Sequence, residues 1–230
     1  MELKDAINSR RSIRAYLPTP VDRDLLNTLL QTASRAPSNT NVQSWRVYVL
    51  QGNSKDALIS KVCKAHDLMW LKPNTKSAYV GQSINASPSA WVAPYLDRRQ
   101  ENGRSYYSLL GIPKEDRKAI HSTQQQNFKF FGAPVGIFFT INKTAPESWL
   151  TDIGMFMQTF ALAAKEAGLD TCFQGAWSSF GKLVMPHISA GEDELLVCGM
   201  SLGYADTDAK INTFTTPRAS VEDFTKWLDK

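Results

Sequence analysis

Val135-Gly136-Ile137-Phe138-Phe139-Thr140-Ile141 carries almost nothing polar, and its apolar residues run on without alternating. A strand with one face in water alternates apolar and polar side chains, whereas a strand covered on both faces has no need to. Leu195-Leu196-Val197-Cys198-Gly199-Met200-Ser201-Leu202 reads the same way, and a shorter strand-like run lies at 45–50. The sequence therefore predicts strands at 45–50, 134–141 and 195–203 beneath covering helices. Helices are expected near 2–9, 22–35, 54–69, 114–130, 149–167 and 177–185. A short one is expected at 220–228, where Ser220 and Asp223 make an approximate capping box. The result is an α/β sandwich, helices packed on a central sheet. The helix at 149–167 is apolar on nearly every side through Ile153, Phe156, Met157, Phe160, Ala161, Ala164 and Ala167. A core helix and a helix at a subunit interface both fit that pattern.

With 230 residues, 43% of them hydrophobic and 21% charged, the chain suits one large domain over 1–230 with a substantial core. No repeat, low-complexity tract or long linker divides it. A net charge of +4 suits an anionic cofactor or substrate and offers little to nucleic acid. Cys63, Cys172 and Cys198 have no metal-ligand spacing and are expected reduced and buried. His66, His121 and His187 share no spacing either, so no metal site is expected. No apolar run approaches the ~20 residues needed to span a bilayer. Met1-Glu2-Leu3-Lys4-Asp5 reads as the start of an amphipathic helix rather than a signal peptide, which makes the cytoplasm the expected location. Gly-x-Ser-x-Gly, a phosphate-binding Gly loop and the dinucleotide fingerprint are all missing from the sequence, arguing against a Rossmann dehydrogenase.

Three polar stretches carry the chemistry. Arg10-Arg11-Ser12-Ile13-Arg14 closes the first helix with three guanidinium groups and a hydroxyl. Arginine's fork suits phosphate and planar, electron-rich edges, although a solvated basic turn would look similar. Ala36-Pro37-Ser38-Asn39-Thr40-Asn41-Val42-Gln43-Ser44-Trp45 is dense in small hydroxyl and amide side chains. Pro37 closes the helix before it. Gly168-Leu169-Asp170-Thr171-Cys172-Phe173-Gln174-Gly175-Ala176-Trp177 follows the apolar helix. Gly168 can cap that helix, and Gly175 lets backbone approach a flat ligand.

These stretches resemble, in order, the FMN-dependent nitroreductase family. Phe131-Gly132-Ala133-Pro134-Val135, Ser201-Leu202-Gly203-Tyr204-Ala205 and Thr216-Pro217-Arg218 complete a likeness that covers essentially the whole chain. The resemblance implies a nitroreductase-like fold: a mostly antiparallel central sheet flanked by helices, in an intertwined homodimer with two flavin sites at its interface. It implies that Arg10 and Ser12 hold the FMN phosphate and ribityl region, with Arg218 returning to the same phosphate. Arg11 would add contacts along the ribityl chain, and Arg14 would sit near the flavin N1 and C2 carbonyl edge. Pro37, Ser38, Asn39 and Asn41 match a loop that reaches the flavin from the partner subunit. Phe173, Gln174 and Gly175 match the loop beside N5. Three positions depart from the family pattern. Gln174 stands where many members are acidic, Ser44 replaces a common proline, and Thr216 leaves one cation fewer on the phosphate.

The stretch around 66–127 is the hardest to read and matches an excursion whose helices, as the resemblance implies, cover the flavin face and set substrate choice. Trp91, Tyr95 and Asn127 in it, with Phe130 just beyond, are its candidate substrate-lining residues; packing of a peripheral helical layer explains such aromatics equally well. The implied activity is ping-pong reduction of a nitroaromatic or quinone by NADPH or NADH, with no dedicated catalytic acid or base. The run 130–136 and the aromatic middle look most like members acting on nitrobenzoates. A quinone or activated-alkene reductase, or a flavin-binding redox protein without turnover, remains an alternative on the same fold.

Overall fold

The computed structural model describes residues 1–85 and 87–228; residues 86, 229 and 230 of the expected 1–230 unit lie outside them. β1 (Arg46–Leu50), β2 (Val135–Asn142), β3 (Asp170–Gln174) and β4 (Glu194–Gly203) form one sheet in the order β1-β2-β4-β3, every pair antiparallel. The two continuous apolar runs, β2 and β4, take its centre, where both faces are covered. Side chains alternate across a strand, so β2 feeds two cores. Ile137, Phe139 and Ile141 pack with Leu26 and Leu29 of α2 (Arg23–Ala33) and with Ile153, Phe156 and Phe160 of α6 (Trp149–Glu166). Phe138 joins Leu58 and Val62 of α3 (Gly52–Leu71), Trp177 and Phe180, and Val184 of α7 (Gly181–His187).

Several expectations are corrected. Asp170–Gln174 is an edge strand rather than part of a loop; five residues are too short to show a period, and its Thr171-Cys172-Phe173 core is compatible with β structure. α4 (Tyr95–Leu109) falls in the excursion where the resemblance implied helices, but its own residues gave no bounds for it, because none is buried and its sequence carries no apolar stripe. The helix expected over 114–130 is α5 (Arg117–Gln125) followed by a tighter 3-10 segment, Gln126–Gly132. Phe130 and Phe131 take φ of +50° and +54° there, which ends regular helix. The helix expected at 177–185 begins as 3-10 turns, Gly175–Phe180, before α7. The C-terminal helix shrinks to one turn, α8 (Val221–Phe224), with both halves of the Ser220–Asp223 capping box made. All three cysteines are free, but only Cys172 is buried; Cys63 and Cys198 are half-buried.

Candidate active site

The segment after α1 (Leu3–Ser9) runs beside the ends of β3 and β4. Ile13 N–H donates to Thr171 C=O at 3.1 Å, and Leu17 N–H donates to Tyr204 C=O at 2.9 Å. Ile13 and Tyr16 face the core, while Arg10, Ser12 and Arg14 stay half-buried and Arg11 is exposed. Asn212, 4% exposed, fixes this strand-like stretch. Its Oδ1 accepts from Arg14 N–H at 2.8 Å, and its Nδ2 donates to the carbonyls of Ala15 and Asp206, each at 2.8 Å. Sequence reading missed Asn212, whose only signal is one amide among the threonines before Arg218.

A cleft of about 650 Å³, the size of a small-molecule site, opens against this segment. Arg10, Arg11, Arg218 and Lys165 line it together with Asp170 and Asn212. Four cations from three distant parts of the chain fit the phosphate end of a mononucleotide. Arg218 is exposed, and its Nη1 donates to Thr216 Oγ1 at 2.7 Å and to the carbonyls of Thr216 and Pro217. Cys172 lies beside Arg14, Ser12 and Arg10. Burial pushes its thiol pKa up, against the pull of the two guanidinium groups and the Ser12 hydroxyl.

Arg14 is held between aromatic rings. Its guanidinium carbon lies 5.2 Å from the centroid of Tyr106 and 5.8 Å from that of Phe214, and the two rings meet edge-on at 5.5 Å. Its Nη1 donates to Ser12 C=O at 3.3 Å. α4 thus covers the basic motif through Tyr106, whose phenol pKa is raised by burial against the opposing Arg14 charge.

At the far end of β3, Gln174 is 1% exposed. Its Nε2 donates to Asn127 C=O at 2.7 Å, so this buried amide N–H is satisfied inside the protein. Asn127 in turn donates from Nδ2 to Gln124 C=O at 3.1 Å.

The Nitroreductase family model matches residues 7–204. The chain belongs to the nitroreductase family. It is 38% identical to a 4-nitrobenzoate reductase of Pseudomonas putida, over 96% of this chain and 93% of that one. It is 34% identical to a 4-nitrobenzoate reductase of Nocardioides sp. (strain LMS-CY), over 96% and 88%. The crystal structure of the FMN and NADPH-dependent nitroreductase NfnB from sphigopyxis sp. strain HMH matches with a TM-score of 0.93 and 30% identity over 100% of both chains. The FMN-dependent nitroreductase NfnB from Mycobacterium smegmatis, in complex with NADPH, matches with a TM-score of 0.89 and 26% identity over 98% and 97%.

The remaining expected site residues of this nitroreductase are not all drawn to the cleft. Phe130 is a correction: it is 0% exposed, packed on Trp177 and Phe138. A Cβ at Gly136 would sit 2.5 Å from its ring, so Phe130 fills core space rather than lining an open pocket. Trp91 and Tyr95 are 39% and 60% exposed and do not line the cleft; the Arg99 guanidinium lies 5.0 Å over the Trp91 ring. Pro37, Ser38, Asn39 and Asn41 also lie outside the cleft of a single chain. Asn39 N–H donates at 3.1 Å to Oδ2 of Asp152, a buried residue of α6, and Ser38 Oγ accepts from Gln43 N–H at 3.0 Å. Thr40, Asn41 and Gln43 hold φ of +45°, +59° and +48°, so the loop has a fixed and strained shape.

Two of the histidines that looked unrelated in sequence meet. His66 and His121 stack at 4.3 Å with planes 4° apart, Trp70 stacks on His121 at 4.6 Å, and Asp67 Oδ1 lies 2.8 Å from His121 Nε2. Donor atoms of His66, Asp67 and His121 fall within 4.8 Å of one another. An ion held by an imidazole lies in the ring plane, and two stacked parallel planes share no point, so this geometry is an aromatic stack rather than a chelate. Among the described residues the buried His66 Nδ1 has no hydrogen-bond partner. Burial, with His121 adding to it, pushes the His66 pKa down to about 4, against the opposing pull of Asp67. The unfolded chain takes up this proton near pH 6.5, whereas the fold resists until about 4. Stability present at neutral pH is therefore lost as pH falls through that window. Solvent screening of a half-exposed ring reduces the linkage to roughly 1 kcal/mol, or about 2–4 °C in Tm. Melting curves of His66→Phe should show a Tm drop between pH 7 and pH 5 that is smaller by that amount. An unchanged drop would place the acid sensitivity elsewhere.

Proposed function

We propose that this chain is an FMN-dependent oxidoreductase that reduces nitroaromatic compounds with NADPH or NADH in a ping-pong cycle. The observation that carries the reading is the cationic cleft of Arg10, Arg11 and Arg218, with the clamped Arg14 nearby. Bound in this cleft, FMN would supply two-electron hydride chemistry between a nicotinamide and a nitro group that use the same site in turn. Arg10, Ser12 and Arg218 hold the phosphate side, and Arg11 lies along the ribityl chain. Arg14 offers positive charge to the flavin edge where negative charge gathers on reduction. The backbone of Phe173, Gln174 and Gly175 would face the hydride-accepting edge of the flavin. The names of the two 4-nitrobenzoate reductases support a nitrobenzoate-like substrate, and the two NfnB structures support NADPH. Among the described residues no helix is long and apolar enough to cross a membrane, and a cytoplasmic location is part of the proposal.

A screen of the purified protein against nitroarenes, quinones and enones, with either nicotinamide, tests the reading. Parallel double-reciprocal lines and the highest kcat/KM on a nitroarene are expected. Intersecting lines would contradict the ping-pong order, and preference for a quinone or enone would contradict the substrate.

The active unit is a homodimer in which Pro37, Ser38, Asn39 and Asn41 complete the partner's site. The Asn39–Asp152 bond ties this loop to α6, and Val42 and Met155, each 38% exposed, leave apolar surface on the same two elements. Sedimentation at low concentration should give a dimer; a monomer retaining flavin and full activity would contradict this arrangement.

A further inference from the structure

We propose that Lys165 is a phosphate-binding residue of the cofactor cleft and that Asp170 tempers its pull; the inference rests on the flavin reading above. Lys165 sits in the last turn of α6, where a lysine ordinarily complements the helix dipole in solvent. Here its side chain is only 21% exposed, and its Nζ lies 2.8 Å from Oδ1 of Asp170, itself 9% exposed. Both line the cleft that holds Arg10, Arg11 and Arg218. An ammonium group has three donor hydrogens; Asp170 takes one, leaving two for whatever fills the cleft.

The rest of the cleft gives this lysine a task. Arg218 is exposed and already commits Nη1 to acceptors on its own turn, and its neighbour Thr216 brings a hydroxyl but no charge. Lys165 supplies a further cation from a rigid helix instead of the C-terminal strap. Its pairing with Asp170 also keeps a buried carboxylate from facing a phosphate dianion unneutralised. The two residues should therefore act with opposite signs. Losing Lys165 removes a cation and exposes an anion, whereas neutralising Asp170 frees the cation.

Dissociation constants for FMN and for riboflavin, which lacks the phosphate, separate this role from a structural one. They are measured by flavin fluorescence on the full chain stripped of flavin. Lys165→Ala should weaken FMN binding about tenfold, the scale of one charged hydrogen bond, and leave riboflavin within about twofold. Lys165→Arg should retain most of the preference for FMN, and Asp170→Asn should increase it. Equal loss of both flavins in Lys165→Ala, or undiminished FMN binding, overturns the proposal alone. A parent chain that binds neither flavin overturns it together with the cofactor reading.

Discussion

Arg10→Ala is expected to weaken FMN binding by about two orders of magnitude. Arg10 closes α1 with its N–H on Ala6 C=O at 3.0 Å, so its backbone is fixed before any ligand arrives, and its half-buried side chain lines the cleft. A guanidinium on a phosphate makes paired charged hydrogen bonds worth ~1.5–3 kcal/mol each, and a loss near 3 kcal/mol is about a hundredfold in Kd. Arg218→Ala should be milder, about tenfold, because that side chain is exposed and shares its donors with Thr216 and Pro217. Flavin retained through gel filtration, followed by titration with added FMN, checks both against Lys114→Ala, a lysine whose side chain is 92% exposed and does not line the cleft. If Arg10→Ala retains as much flavin as that control, the phosphate does not bind in this cleft.

Arg14→Ala should lower the flavin's reduction potential by about 30–60 mV, equal to ~1.4–2.8 kcal/mol for a two-electron couple. It should also slow reduction by NADPH roughly 10- to 100-fold even at saturating FMN. Arg14 N–H is pinned by Asn212, and its guanidinium is shielded by Tyr106 and Phe214, so its charge acts through less water than a surface arginine's would. A cation held beside the N1 and C2 edge favours the charged, reduced form. Arg14→Lys should recover part of the potential, since charge survives while the planar fork that stacks on the rings is lost. Redox titration of both variants beside the parent distinguishes the roles. Weaker FMN binding with an unchanged potential would make Arg14 an anchor instead.

Legibility in the sequence followed the physics of each element. β2 and β4 were readable because burial on both faces abolishes alternation, whereas three arginines in five residues also suit a solvated turn, and the basic motif became readable only together with the stretches at 36–45 and 168–177. α4 left no trace in the residues themselves, since a helix that buries no residue shows no period, and only the resemblance implied helices there; it brings Tyr106 to Arg14. Phe130 read as a candidate for the pocket because aromatics near a site look alike in sequence. Only the close approach to Gly136, set by a left-handed turn, puts it in the core. Lys165 was not singled out in the sequence, and Asp170 read only as part of the Gly168–Trp177 stretch; their pairing inside the cleft depends on how α6 meets β3. His66 and His121 lie on different helices, so their stack was equally beyond any spacing rule.

The most direct test of the central claim is an anaerobic titration of the purified, flavin-loaded chain in two steps. NADPH or NADH added first should bleach the bound flavin, and one molar equivalent of 4-nitrobenzoate per site, added after the nicotinamide is exhausted, should restore its yellow absorbance. Flavin that neither nicotinamide bleaches, or that once bleached recovers only on admission of oxygen, would contradict the account.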